Sequence, residues 1–272
     1  MPQETVAEDT DNRATIHATL GGSATNFAVW SATLGLETHL VARVGKGEAP
    51  KFVKILGEKG VTAHLQEDKE LPTGRIVVFS DGANRTFYTD RGANAKLEVH
   101  LMPIEILGSA LYISGYTVLS IGTEGTQKLI QLAKNHGMAI FVDPGSESFI
   151  EDYGVKYFLE AIEGADVILP NLAEAKLLSG EQSLHAAADK LNSMFKLVVI
   201  TMSAEGAFVK NATTAQQVSA PEVEVVDTTG AGDAFAAMFI RHIIEGNTPL
   251  YAATEACDFA SKAVALIGGQ PT

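Results

Sequence analysis

The strongest constraint on the fold is a rhythm that begins near Ala110. Short apolar runs alternate there with stretches of helical character: ALYIS at 110–114, a helix over 123–136, MAIFVD at 138–143, a helix before Gly164, ADVILP at 165–170, two further helices, and LVVIT at 197–201. Brief runs that are apolar throughout and separated by helices predict a parallel sheet covered on both faces. The helix over 123–136 carries its own punctuation, with Thr123 as N-cap, Glu124 in the first turn and Gly137 as the stop. Open α/β sheets bind ligands outside the carboxyl ends of their strands, so the loops after these runs are where chemistry is expected.

The first third of the chain reads differently. TGRIVVFS (73–80) and NRTFYT (84–89) are β-rich and joined through Asp81, Gly82 and Ala83 with no helix between them, which predicts a hairpin. Together with ATIHATL at 14–20 they predict a small sheet outside the main one, its strands drawn from about 14–20 and 73–90. Phe27, Trp30 and Leu34 follow a glycine pair at spacings of three and four, which predicts a helix with Trp30 in the core. The 272 residues show no linker and no fixed-period repeat, so a single domain over 1–272 is expected.

Composition excludes several classes of function. With 46% hydrophobic and 19% charged residues the chain is ordinary globular protein rather than a disordered one. A net charge of −13 argues against a nucleic-acid partner, which would require a basic face. The lone Cys257 excludes an internal disulfide framework, and the scattered histidines lack metal-ligand spacing. Polar, acidic residues open the sequence, and no apolar run approaches the roughly 20 residues needed to span a bilayer. A soluble protein of a reducing cytoplasm, with no membrane partner, is the expectation.

The most informative segment is Asp227-Thr228-Thr229-Gly230-Ala231-Gly232-Asp233-Ala234-Phe235, between the strand-like EVEVV at 222–226 and an apolar stretch running to Ile244. Gly230 and Gly232 allow a tight turn into a helix whose first N–H groups lack intrahelical acceptors. Amides of Gly230, Ala231, Gly232 and Asp233, reinforced by the helix dipole, would form an anion site suited to a phosphoryl group. The Asp233 carboxylate is placed to accept the proton of an attacking hydroxyl. A plain helix entry with an acidic first turn is the structural alternative. The dinucleotide fingerprint is excluded, because Phe235 stands where its third glycine belongs, and no Gly-Lys-Ser/Thr follows to make a Walker A loop.

On these residues the sequence resembles the ribokinase-like carbohydrate kinases, the PfkB family. Asp227 to Phe235 match the family's DTxGAGDxF signature; Gly21, Gly22, Asn26 and Leu34-Gly35 match its glycine pair, asparagine and Leu-Gly; Asn171 to Glu174 match its Asn-x-x-Glu. The resemblance implies a three-layer α/β/α sandwich with a mostly parallel central sheet, a small β-sheet lid, and transfer of the terminal phosphoryl group of ATP to a sugar hydroxyl. It implies that Asp233 is the general base and that Gly230, Ala231 and Gly232 form the anion hole. By the same resemblance Gly21, Gly22 and Asn26 contact substrate hydroxyls, while Asn171, Thr201, Ser203 and Gly206 serve the nucleotide. Glu174 would organise hydrated Mg²⁺, an ion that favours oxygen ligands and keeps several waters; a capping box at Asn171 and Glu174 is the structural alternative. Asp227 and Thr229 correspond to positions that hold a monovalent cation such as K⁺ in some members, and lid pairing in relatives implies a homodimer.

Departures from the pattern bear on the substrate. Family members begin with a core strand ending in a substrate-binding aspartate, whereas the 20 residues before Gly21 carry no apolar strand, and Asp9 and Asp11 lie in polar surroundings. Lys46-Gly47-Glu48 replaces an aspartate and Phe-Gly, and Gly145 follows Pro144 where relatives carry an asparagine and a nearby arginine. Arg91 is the candidate for recognising substrate charge, its alternative being a solvated arginine beside a turn. A 2-keto-3-deoxygluconate kinase would use Arg91 for the acid, and a nucleoside kinase would stack a base on Phe87 or Tyr88. A non-catalytic sugar- or nucleotide-binding descendant is the reading from a different class.

Overall fold

The computed structural model describes residues 10, 11, 15, 16, 18–80, 85–102, 108–265 and 268–271. In chain order the elements are α1 (Ser23–Thr33), β1 (Thr38–Gly45), α2 (Ala49–Glu58), β2 (Val61–Asp68), β3 (Thr73–Ser80), β4 (Arg85–Gly92), β5 (Ala110–Ser114), α3 (Gly115–Asn135) and β6 (Ala139–Asp143). Then come α4 (Glu147–Tyr153), α5 (Val155–Ala161), β7 (Val167–Ile168), α6 (Leu172–Ser179), α7 (Leu184–Asn192), β8 (Leu197–Thr201), β9 (Ala207–Asn211), β10 (Ala215–Val218), α8 (Ala231–Ile244) and α9 (Pro249–Ala263).

The alternation after Ala110 becomes a six-stranded sheet of order β10-β9-β8-β7-β6-β5, parallel from β5 to β8 and antiparallel where β9 and β10 close its edge. Its strands are apolar on both faces for the expected reason. Along β6 and β8, Ile140, Val142, Val198 and Ile200 pack with α3 to α7, while Phe141, Leu197 and Val199 pack with Phe235 and Phe239 of α8 and with α9. Helices therefore cover both sides, giving the expected three layers. β7 is only two residues long because Pro170, with no N–H to donate, ends the ladder.

Three local expectations change. Helix α3 starts before Thr123 and kinks at Gly122, whose φ of 70° and ψ of −179° only glycine adopts readily. Gly122 rather than Thr123 then precedes the second helical stretch, and its carbonyl accepts from Thr126 Oγ1 at 2.8 Å. EVEVV is not a strand. Val223, Val225 and Val226 are exposed, and the N–H groups of Val226 and Asp227 donate instead to the Val264 carbonyl. Alternation of Glu and Val supplies β-propensity but no ladder partner.

Of the stretch 14–20, residues 15, 16 and 18–20 form no strand, which corrects that part of the expected small sheet; 14 and 17 lie outside the described residues. The hairpin does form, as antiparallel β3 and β4 with Val77 opposite Tyr88 and Val78 opposite Phe87, its turn at 81–84 also outside them. Between α1 and the hairpin, β1 and β2 make a parallel pair covered by α1 and α2 through Val29, Leu40, Leu56 and Val61. Trp30 is buried, as its spacing predicts, and its indole N–H donates to the Gly269 carbonyl at 3.0 Å. Cys257 packs as a small hydrophobe, its thiol pushed up to about 11 by burial.

Candidate active site

Turns and strand ends bring one set of carboxylates together. Gly230 is left-handed, with φ of 73°, and caps α8; a Cβ there would overlap the Gly269 carbonyl, so the turn admits glycine alone. Beyond it Ala231 N–H reaches the Thr228 carbonyl at 3.3 Å, while the N–H groups of Gly232 and Asp233 have no protein acceptor among the described residues. The helix thus presents amides and a buried carboxylate at one end, the arrangement its glycines predicted.

Asp233 is held at both oxygens. Ser23 Oγ donates to Oδ1 at 2.9 Å and Asn26 Nδ2 to Oδ2 at 3.0 Å. Gln270 Nε2 in turn donates to Asn26 Oδ1 at 3.0 Å, which fixes the orientation of the asparagine amide. Asn26, expected to meet substrate hydroxyls, therefore touches the carboxylate itself. Gly21 and Gly22 lie at the mouth of α1, exposed, and Gly22 at φ of 98° turns the chain so that Ser23 begins the helix. Burial and the charge of Asp143 push the Asp233 carboxyl up to about 7, against the pull of its bonds to Asn26 and Ser23.

Asp143 was missed by sequence reasoning. It ends β6 at the carboxyl edge of the sheet, which was the available signal, and it accepts from Tyr112 Oη at 3.2 Å. Burial raises it to about 6, opposed by bonds from Tyr112 and the Gly145 backbone. Glu174 stands in the capping box the sequence allowed as its alternative, with Asn171 Oδ1 accepting from Glu174 N–H and Glu174 Oε2 from Asn171 N–H, each at 2.9 Å. Glu174 is nonetheless only 4% exposed, and burial followed by the charge of Asp143 pushes it up to about 8.

Carboxyls raised by burial, two of them further by the charge of Asp143, form a site that a hard cation would relieve. Among the described residues no three acidic, imidazole or thiol groups converge closely enough to hold an ion directly.

Thr201, at the end of β8, bridges to Asn171, and its N–H donates to the Pro170 carbonyl at 2.9 Å, so these two predicted nucleotide residues are neighbours. Ser203 follows at φ of 53°, alone among described non-glycine residues in that region, and Gly206 at φ of 92° lies where a Cβ would overlap the Val218 carbonyl. Asp227 accepts from Thr229 N–H at 2.7 Å and from Gly268 N–H at 2.9 Å, which joins the glycine turn to the tail.

Arg91 directs one guanidinium nitrogen to the Tyr116 carbonyl at 2.7 Å and to Ser120 Oγ at 2.6 Å, clipping the root of the hairpin to α3. Tyr116 in turn feels the charges of Asp143, Glu174 and Asp233. A second missed residue, Glu48, anchors the other side of that root: its carboxylate accepts from Thr73 Oγ1 at 2.5 Å and from Thr73 N–H at 3.2 Å. Phe87 and Tyr88 are exposed on the hairpin.

Comparison with known proteins identifies relatives of this fold. The ribokinase of Staphylococcus aureus (strain COL) is 28% identical over 90% of this chain and 81% of its own. The crystal structure of adenosine kinase from Sinorhizobium meliloti superposes with a TM-score of 0.83 at 26% identity, over 92% of this chain and 79% of that one. Fructokinase from Vibrio cholerae O395, solved with fructose, ADP and calcium bound, gives 0.77 at 25% identity over 92% and 86%. The family model described as pfkB family carbohydrate kinase matches residues 2–272, and the chain belongs to that family.

Proposed function

We propose that the protein is an ATP-dependent sugar kinase in which Asp233 is the general base. The observation that carries this reading is a buried carboxylate, held by Ser23 and Asn26 and pushed up to about 7, in the first turn of the helix that the Gly230 turn opens. A base with an affinity close to the working pH takes up a hydroxyl proton while remaining ionised at rest. Asp233 would remove the proton of the acceptor hydroxyl as that oxygen attacks the γ-phosphorus of ATP in line, with ADP leaving. The amides of Gly232 and Asp233 would receive the charge that builds on the transferred group, with Gly230 and Ala231 shaping their turn. Asn171, Thr201, Ser203 and Gly206 would hold the nucleotide, and Gly21, Gly22, Asn26 and Arg91 would line the acceptor side. Mg²⁺, when bound through water at Glu174, supplies neutralisation of phosphate charge. Asp227 and Thr229 would hold K⁺, which dependence of turnover on K⁺ against Na⁺ would test.

The hairpin would close over the acceptor and exclude water. Both of its faces are apolar and exposed, Ile76, Val78 and Phe87 on one and Val77, Phe79 and Tyr88 on the other, which favours a homodimer through the lid. A single cysteine, buried and unbridged, suits the reducing cytoplasm in which this reading places the protein. Among the described residues no helix is long and apolar enough to cross a membrane.

The test is Mg·ATP turnover over ribose, fructose, 2-keto-3-deoxygluconate, tagatose 6-phosphate and adenosine. One acceptor is expected to be phosphorylated, and Asp233→Asn to reduce kcat by about 10²–10⁴-fold with binding retained. Near-normal turnover in that variant would remove Asp233 from the role of base. Saturable binding with no turnover of any acceptor by the native chain would favour the non-catalytic descendant.

A further inference from the structure

We propose that Ser23 and Tyr112 are positioning residues for the base: their hydroxyls hold one oxygen of the Asp233 carboxylate and tie it to Asp143. This rests on the reading of Asp233 as the base. Ser23 Oγ lies 2.9 Å from Asp233 Oδ1 and 3.4 Å from Tyr112 Oη, which lies 3.2 Å from Asp143 Oδ2. The four groups come from the start of α1, the middle of β5, the end of β6 and the first turn of α8, so the row exists only in the folded chain. The Tyr112 ring is fixed by stacking on Phe27, with centroids 3.8 Å apart and planes 7° from parallel.

Proton counting gives the row its use. Each hydroxyl has one hydrogen to donate. With both carboxylates ionised, Ser23 donates to Asp233 and Tyr112 to Asp143. With a proton on Asp143 the row can run from Asp143 through Tyr112 and Ser23 to Asp233, every hydrogen still donated. In either order Asp233 Oδ1 receives a hydrogen bond from Ser23, while Asn26, itself oriented by Gln270, holds Oδ2. Rotation of the carboxylate would break both bonds together. A carboxylate offers about four lone-pair positions, so two donors leave others for the incoming hydroxyl, in a fixed direction.

Neither residue belongs to the glycine-pair, Asn-x-x-Glu or DTxGAGDxF signatures by which the site was found. Asn26 does belong to one, and it serves the same carboxylate from the other side.

The experiment compares the native protein with Ser23→Ala, Ser23→Thr, Tyr112→Phe and Asp233→Asn, measuring kcat and KM with Mg·ATP and the acceptor of the panel above that the native protein turns over best, alongside thermal unfolding. Ser23→Ala is expected to lower kcat about 10-fold with KM within about 3-fold, and Ser23→Thr, which keeps the hydroxyl, to recover most of the loss. Tyr112→Phe, which keeps the ring on Phe27, is expected to lower kcat about 3-fold. A Ser23→Ala variant within about 2-fold of native kcat, beside an inactive Asp233→Asn, overturns the positioning role and leaves the base standing. Equal losses in Ser23→Ala and Ser23→Thr also overturn it, because the hydroxyl is then not the cause. Native-rate turnover in Asp233→Asn, or no turnover of any acceptor by the native protein, overturns the base and this inference together. Should Ser23→Ala fail to fold, near-native kcat in Tyr112→Phe overturns the row, and a selective loss of kcat supports it.

Discussion

The carboxylate cluster and the hairpin break the ordinary partition of side chains in opposite directions. Around α8 and the ends of β6 and β7, the chain buries Glu174 and Asp233 and half-buries Asp143, groups that water would ionise near pH 4. On β3 and β4 it exposes Ile76, Val77, Val78, Phe79, Phe87 and Tyr88, groups that water would drive inside. Each region stores an unfavourable arrangement that a ligand or a second surface can relieve. The cluster is rigidly built, every carboxylate held by named donors, whereas a two-stranded sheet has little stability of its own and is fastened at its root by Glu48, Asn94 and Arg91. A fixed site beside an apolar cover is the pairing that the proposed water-excluding transfer would need.

The sharpest way to break this contrast is Gly230→Ala. A Cβ there meets the Gly269 backbone, so the glycine turn must shift, and a displacement near 1 Å costs about 10²-fold in turnover. Steady-state kinetics should show that loss in kcat; native kcat would mean the turn is not positioned as tightly as the rest of the cluster.

Acidity comes next. With Asp233 raised to about 7, kcat/KM is expected to fall about tenfold per pH unit below 7, not below 4 as for an exposed aspartate. The same shifts make a claim about stability. Unfolded carboxyls release their protons near pH 4, while the folded ones hold theirs to about 6, 7 and 8. The folded state therefore binds more protons than the unfolded one over that interval, and stability falls as pH rises through it. Tm should be higher at about pH 5.5 than at about pH 8, and Mg·ATP should narrow the difference.

A smaller effect is expected from the hairpin. Replacing Val77 and Phe79 by Lys and Asp is expected to raise the acceptor KM several-fold and to weaken self-association in sedimentation, with global stability changed by only about 0.5 kcal/mol, because these side chains are already exposed. A large loss of stability would show that the hairpin is part of the core after all. Smallest of all, Ser203→Gly relieves a left-handed serine and should stabilise the protein by up to about 1 kcal/mol, visible as a slight rise in Tm, while loss of the serine from the nucleotide loop should raise KM for ATP.

Much of this molecule was legible before folding. Apolar runs with helices between them specify a covered parallel sheet, because a strand buried on both faces must be apolar throughout, and ALYIS, MAIFVD and LVVIT satisfied that test. Gly230 specified the helix entry that carries Asp233, because only glycine takes its left-handed turn without strain. EVEVV misled because propensity describes one strand, and a ladder needs two. Asp143, Tyr112 and Ser23 stayed hidden because each is ordinary where it stands in the sequence. Their significance is a distance between residues as far apart as Ser23 and Asp233, and proximity across such separations is settled only when the helices pack on the sheet. Local sequence decided which turns and strands form; tertiary packing decided which carboxylates share a charge and which hydroxyls hold the base, since burial and Coulomb coupling depend on neighbours that the chain supplies from elsewhere.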